Sequence, residues 1–129
     1  MEKEFIPYEQ ALSLKELGFD EPCFSYYYNR ELSFGARTSY GEVVEAPTFS
    51  QAFRWFREKY RLIIQYIPYE LENLDNYLEL HHKFKISEYD GYRGGRRNTV
   101  ETILTEDYEE AELECLKELI EIVKDGKNR

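Results

Sequence analysis

Three arginines are spaced for one face of a helix predicted near the middle of the chain. Arg54, Arg57 and Arg61 stand at i, i+3 and i+7, which puts them on one stripe of a helix with 3.6 residues per turn. Guanidinium groups bind phosphate through paired, charge-assisted hydrogen bonds. Because the formal net charge of the chain is −9, this stripe is a local exception to an acidic surface, and it predicts a site for a small anion.

A second basic group lies in a glycine-rich turn predicted over residues 90–98. Its arginines are Arg93, Arg96 and Arg97. Tyrosine rings stack on nucleic-acid bases with about 1–3 kcal/mol per base, and the candidate rings are Tyr26, Tyr28, Tyr40 and Tyr92. The two groups together predict a nucleotide-type ligand. The alternative is that each arginine only neutralises a nearby carboxylate, in a surface ion pair that contributes about 0–1 kcal/mol.

Few residues are suited to catalysis or to metal binding. His81 and His82 are the only histidines, and as neighbours on a predicted strand they point to opposite faces. Cys23 and Cys115 stand among apolar and aromatic residues, where a thiol is inert. The usual hydrolase, metalloprotease and phosphate-loop motifs are missing. We therefore expect no catalytic residue, no metal site and no cofactor, and hence a protein that is not an enzyme.

The helix that carries the arginine stripe is predicted within the stretch 46–61, with Pro47 just outside its start. Thr48 is suited to cap its first turn, and Gln51 to complete a capping box. Trp55, on another flank of the same helix, is a candidate aromatic contact for a partner. The residues at helical spacing that we expect in the core are Phe49, Ala52, Phe53, Phe56 and Tyr60.

The other elements follow from periodicity and turn residues. Helices are predicted over residues 5–17, before Gly18, and over residues 107–124, before Gly126. Strands are predicted within residues 23–34, on either side of Asn29 and Arg30, and over the stretches 62–67, 78–87 and 99–104, with a further brief strand at 42–46. The interpretation is one α+β domain, residues 1–129, in the order αββαβββα, with an antiparallel sheet of about five strands and three helices mainly on one face.

The charge and the cysteine content limit the partners and the compartment. An acidic chain is repelled by a phosphate backbone, so neither non-specific nucleic-acid binding nor binding to an acidic membrane is expected. Two cysteines make no disulfide framework, and no secretory signal or membrane span is recognisable. We expect a cytosolic protein. The apolar arc of the last helix is wider than one sheet face covers, which predicts a homodimer.

Three segments resemble a known family: residues 5–23 (FIPYEQALSLKELGFDEPC), 46–60 (APTFSQAFRWFREKY) and 108–124 (YEEAELECLKELIEIVK). They are similar to small proteins carried by phages and prophages of gut Bacteroidales, including crAss-like phages. The resemblance implies a phage-encoded accessory protein in the cytosol of a bacterial host, and it implies no particular activity or cofactor. It also implies that residues 62–107 are the variable part of the family.

Three functions remain open at this point. The first is a non-enzymatic binding protein that interferes with host defence by sequestering an anionic nucleotide-type signal. The second is a protein–protein inhibitor, whose acidic surface imitates DNA and occupies a host nucleic-acid enzyme or defence protein. The third is an accessory or virion-associated protein without a ligand.

Overall fold

The computed structural model describes residues 2–37, 42–89, 91 and 96–127. Its elements are α1 (Tyr8–Glu16), β1 (Ser25–Tyr28), β2 (Glu31–Phe34), β3 (Val43–Ala46), α2 (Phe49–Tyr60), β4 (Leu62–Glu72), β5 (Leu78–Tyr89), β6 (Arg96–Glu101) and α3 (Tyr108–Lys127), after a short 3-10 turn at Glu2–Glu4. The predicted α+β class is confirmed.

The predicted single sheet of about five strands is not confirmed. The described strands form two three-stranded antiparallel sheets, in the orders β2-β1-β3 and β4-β5-β6. The element order is αβββαβββα, because the brief strand at 43–46 pairs with β1 along its whole length. Alternation of side chains defines a strand but not its partner. The chain divides into two compact units, residues 1–52 with 120–129 and residues 53–119.

The first unit is built around the β1–β2 hairpin. Asn29 and Arg30 form its two-residue turn with φ angles of 49° and 70°, which is the left-handed geometry that such turns require. Helix α1 begins at Tyr8 and not at residue 5, because Pro7 is extended with ψ of 159° and Phe5 bridges to Thr48. At its other end Gly18 has φ of 101°, as predicted for a left-handed stop.

The start of α2 shows half of the predicted capping box. The Oγ1 atom of Thr48 accepts a hydrogen bond from the Gln51 backbone N–H at 3.1 Å. The return bond, from the Thr48 backbone N–H to the Gln51 side-chain oxygen, is not formed among the described residues, and Nε2 of Gln51 donates to the carbonyl oxygen of Pro22 at 3.1 Å. The predicted apolar stripe of α2 is buried, apart from the half-buried Tyr60.

The second unit contains the long β4–β5 hairpin, whose register runs from the Leu62–Glu88 pair to the Glu72–Leu78 pair. Strand β4 continues past Pro68, where the sequence predicted its end. Pro68 lies opposite His82, whose backbone N–H and carbonyl both bond to Thr105 on the other side. The missing N–H of Pro68 therefore costs no hydrogen bond of the ladder, as is typical of proline in an edge strand.

Strand β6 also differs from the prediction. It begins at Arg96 and ends at Glu101, whereas the sequence predicted a turn over residues 90–98 and a strand over 99–104. The backbones of Arg96 and Arg97 pair with Tyr89 and Glu88. A shift in the register between Ile86 and Glu88 accompanies this extension of the strand.

Helix α3 continues through Gly126, where a helix stop was predicted. The apolar side chains of its arc are buried or half-buried within the single chain. The arc therefore no longer requires a second copy of the protein, and the homodimer stays a prediction without that support. Among the described helices, none combines the length and the apolar character needed to cross a membrane.

Candidate functional site

The predicted arginine stripe is exposed on α2 but does not lie on one regular helix. Arg54 and Arg57 are exposed helical residues, whereas Arg61 follows the end of α2 with φ of 55°. The carbonyl oxygen of Arg61 accepts a hydrogen bond from the backbone N–H of Tyr89 at 3.0 Å. Neither Arg57 nor Arg61 forms an ion pair with a carboxylate in the part of the chain that the structure describes.

Of the other predicted site residues, the structure describes the side chains of Trp55, Tyr26 and Tyr28. Trp55 is buried, with its ring edge-on to Phe56 at 5.0 Å, and a buried ring is not presented to a partner. Tyr26 is also buried, and the Arg37 guanidinium covers its ring at 4.6 Å. Tyr28 is half-buried in β1. For Arg96 and Arg97 the structure describes the strand backbone only, and the remaining predicted residues, Tyr40, Tyr92 and Arg93, lie outside the described residues.

The first unit contains a groove with a volume of about 330 Å³. Small-molecule sites in proteins occupy about 300–1,000 Å³, so the groove has room for a ligand the size of one nucleotide. None of the predicted site residues lines it. The lining residues are Tyr8, Tyr27, Asn29, Arg30, Glu42 and Val44.

The β1–β2 turn positions the arginine of the groove. The Arg30 guanidinium lies over the ring of Tyr8, 5.4 Å from its centroid. This cation–π contact holds the charge against a ring that lines the groove. Arg30 is exposed, and it forms no ion pair with any carboxylate in the ranges 2–37, 42–89 and 96–127. Its charge-assisted donors are therefore available to an external anion.

Two tyrosines form the aromatic wall. The Tyr27 hydroxyl donates a hydrogen bond to the carbonyl oxygen of Ile6 at 2.7 Å, which fixes the ring. The Tyr8 ring stands edge-on to Tyr27, with the centroids 5.5 Å apart and the planes at 80°. On the neighbouring strand Val44 pairs with Tyr27 and is buried. The wall is therefore built of packed aromatic and apolar side chains, with the Arg30 charge against one of its rings.

Glu42 gives the groove an acceptor beside its donor. The residue is exposed directly before β3 and lines the same groove as Arg30. A carboxylate accepts hydrogen bonds from N–H groups, and a guanidinium donates them to phosphate or carboxylate oxygens. The pair suits a ligand that carries both an anionic group and N–H donors.

The sequence predicts Arg30 only as a residue of the hairpin turn. One feature of the sequence does mark Arg30 as a candidate functional residue. The hairpin turn needs left-handed residues, and arginine is unusual there compared with glycine or asparagine. Backbone conformations that a residue adopts at a cost cluster at functional sites. The contact with Tyr8 was not detectable in the sequence, because it depends on how α1 packs.

The environments of the cysteines favour protonated thiols. Burial, and next the charge of Glu45, raise the pKa of Cys23 from 9.0 to about 12. The Glu45 Oε1 atom accepts a hydrogen bond from the Cys23 backbone N–H at 3.1 Å and pairs with Arg37 at 2.6 Å. Burial also raises the pKa of Cys115. A nucleophilic cysteine needs the opposite shift.

Comparison of the chain with models of protein families, with curated proteins and with solved structures gives no match.

Proposed function

We propose that the protein is a non-catalytic binding protein that takes a small anionic ligand of the nucleotide type in the groove of its first unit. The observation that carries the proposal is the exposed Arg30 guanidinium, held over the groove-lining ring of Tyr8 without an ion pair to a described carboxylate. A phosphate would bond to Arg30, and a base would pack against the wall of Tyr8 and Tyr27. The N–H groups of the base would donate to Glu42.

The strength of such a site follows from its parts. A hydrogen bond to a charged group contributes about 1.5–3 kcal/mol, and the stacking of a base about 1–3 kcal/mol. Loss of the guanidinium should therefore weaken binding by roughly 10- to 150-fold, because each 1.4 kcal/mol is a factor of ten. The resemblance to phage accessory proteins supports a role in which the ligand is a nucleotide signal of host defence, sequestered in the cytosol.

Calorimetric titration of the full chain tests the proposal. The probes are mononucleotides, cyclic di- and trinucleotides and ADP-ribose, with ribose 5-phosphate and a nucleoside as partial ligands. Arg30→Asn removes the charge and retains a residue that tolerates φ above zero. Arg57→Gln is the matched control on α2. The proposal expects binding that R30N weakens and R57Q leaves unchanged.

Two results count against the groove. If R57Q weakens binding and R30N does not, the anion binds on α2, as the arginine stripe predicted. If no probe gives heat or raises the melting temperature, the nucleotide-type ligand is wrong, and an accessory protein without a ligand becomes the better interpretation.

A second candidate is the protein–protein inhibitor, favoured by the end of the β4–β5 hairpin. Leu74, Tyr77 and Leu78 are 103%, 72% and 66% exposed there, and exposed apolar side chains of this kind mark contact sites for other proteins. Because the chain is acidic, the partner would be basic, as nucleic-acid enzymes are. Its test is a pull-down from host lysate with the full chain and with the double variant Leu74→Ser, Leu78→Ser. A host protein that binds the full chain stoichiometrically and does not bind the double variant supports this candidate. A host protein that binds both chains, or the absence of any bound protein, excludes this surface.

A further inference from the structure

Three potential metal ligands meet on one face of the second unit. The Nε2 atom of His81 lies 3.8 Å from Oε2 of Glu79 and 4.0 Å from Oε1 of Glu106. The three ligand atoms are all within 4.8 Å of one another. One imidazole nitrogen and two carboxylate oxygens therefore surround a common point.

The fold brings these residues together through two simple relations. Glu79 and His81 are two residues apart in β5, so their side chains point to the same face. Thr105 forms an isolated antiparallel bridge with His82, through hydrogen bonds of 2.8 and 2.9 Å. The next position in that antiparallel register sets Glu106 beside His81. The ring of His82 is on the other face, stacked with Tyr66 at 5.7 Å.

A hydrogen bond orients the carboxylate of Glu79. Its Oε1 atom accepts from Nδ2 of Asn73 at 2.9 Å, which leaves Oε2 facing the imidazole. Asn73 is itself fixed in the β4–β5 turn, because its Oδ1 accepts the backbone N–H groups of Asp75 and Tyr77 at 2.9 and 3.1 Å. Partners of this kind orient the ligands of metal sites.

The imidazole of His81 provides an observation that is independent of the two carboxylates. Both ring nitrogens are buried, and neither has a hydrogen-bond partner among the described residues. Buried polar atoms are nearly always paired, and an exception calls for a missing partner. Nε2 is directed toward the two carboxylates at distances too long for hydrogen bonds and long enough to admit an ion between the atoms.

We propose that Glu79, His81 and Glu106 form a binding site for a divalent transition metal of the Zn²⁺ class. Zinc binds histidine nitrogen and carboxylate oxygen at about 2.0–2.2 Å in a tetrahedral arrangement. Ligand atoms at such a centre are separated by about 3.4 Å. The two distances from His81, 3.8 and 4.0 Å, therefore need to shorten by about half an ångström, and the two carboxylate oxygens, which lie within 4.8 Å of each other, close the rest. The Glu106 side chain is 84% exposed and is free to make that movement.

The set of donors selects the class of ion. Magnesium and calcium prefer sites made of oxygen alone, and Cu(I) prefers sulfur, whereas imidazole with carboxylate suits zinc and its neighbours. Lys83 lies two residues along the same face, but its ammonium is engaged elsewhere. It lies 3.4 Å from a carboxylate oxygen of Glu101 and over the ring of Tyr69. Three protein ligands leave a coordination position for water or for an external group.

The sequence predicted no metal site because His81 and His82, as neighbours on a strand, cannot bind one ion together. The structure keeps them on opposite faces, and the second and third donors come from Glu79 and Glu106, which no sequence motif marks as ligands. This proposal does not depend on the nucleotide groove, because that groove lies in the other unit.

The test uses the full chain without an affinity tag, after removal of metals with a chelator. Zinc is titrated in competition with a chromophoric chelator, and Co²⁺ binding is followed by visible absorption. We expect one equivalent of either ion. Because the chain has two histidines, the ring-proton NMR spectrum separates them, and Zn²⁺ should shift the His81 signals more than those of His82.

Matched variants locate the site. His81→Gln and Glu79→Gln should lower the Zn²⁺ affinity at least about 100-fold, and Asn73→Ala, which releases Glu79, about tenfold. Glu106→Gln, at an exposed side chain, should lower it at least about tenfold while the melting temperature of the metal-free chain is unchanged. The controls His82→Gln and Glu101→Gln should leave the affinity within threefold.

Three results overturn the proposal. They are an absence of one-equivalent Zn²⁺ or Co²⁺ binding at micromolar protein, an affinity that Glu106→Gln does not change, and an equal loss in His81→Gln and His82→Gln. In any of these cases the three groups are an ion-pair cluster only.

Discussion

The thiol of Cys23 should react slowly with a disulfide reagent while the chain is folded. Cys23 is half-buried, and its Sγ donates a hydrogen bond to the carbonyl oxygen of Glu21 at 3.4 Å. Burial is the largest cause that raises its pKa, the charge of Glu45 is the second, and Arg37 acts in the opposite direction. The thiolate is the reactive form, so the shift acts directly on the rate.

The size of the effect follows from two opposing factors. A rise in the pKa from 9.0 to about 12 lowers the thiolate fraction near neutral pH about 1,000-fold. A thiolate of higher pKa is more nucleophilic, with a Brønsted slope of about 0.4–0.5. Over a rise of about three pKa units, this slope increases the rate constant of the thiolate about 16- to 32-fold. The folded chain should therefore react about 30- to 60-fold more slowly than the unfolded chain, before any steric protection is added.

The assay is the reaction of Cys23 with 4,4′-dithiodipyridine between pH 7 and 10.5, with the site of modification read by mass spectrometry. The same chain in urea is the control for an ordinary thiol. Its rate should level off near pH 9, whereas the rate of the folded chain should keep rising tenfold per pH unit. Glu45→Gln removes the second cause of the shift and should accelerate the reaction of the folded chain.

Steric protection alone would slow the reaction without moving its pH profile. A folded-state rate that levels off near pH 9 would therefore refute the pKa argument even if the reaction is slow. A rate within threefold of the unfolded chain at pH 7.5 would refute both the burial and the electrostatic parts. Circular dichroism at each pH confirms that the chain is still folded.

Three further outcomes are expected in equilibrium unfolding by urea. Tyr27→Phe removes the 2.7 Å hydrogen bond to the Ile6 carbonyl and should lower the free energy of unfolding by about 0.5–1.5 kcal/mol; no change would mean that water replaces the hydroxyl. Phe56→Ala, at a side chain with 0% exposure, should cost about 3–5 kcal/mol; a loss below 1 kcal/mol would contradict its place in the core. Burial raises the pKa of both Cys23 and Tyr108, so the folded chain prefers their neutral forms. These two groups should therefore lower the free energy of unfolding as the pH rises above about 9, and a stability that rises above about pH 9 would contradict the shifts.

Most local elements of the fold were predictable. The cap at Thr48, the stop at Gly18 and the Asn29–Arg30 turn depend on the sterics and hydrogen bonds of adjacent residues, so the chain specifies them without reference to distant contacts. The wrong predictions concern elements whose length or pairing depends on residues far away in the chain. Strand β4 passes Pro68 because it is an edge strand, and the two sheets are separate because β3 pairs with β1.

The candidate sites divide in the same way. The sequence by itself determined that the chain is acidic, that it has two histidines and two cysteines, and that arginines and tyrosines are the side chains best suited to hold an anion. Only the tertiary structure decided which of them meet: Arg30 with Tyr8 across the first unit, and Glu106 with His81 across the Thr105 bridge. Residue type sets what a side chain can bond to, but convergence depends on packing between segments far apart in the chain, and that packing is a property of the folded molecule alone.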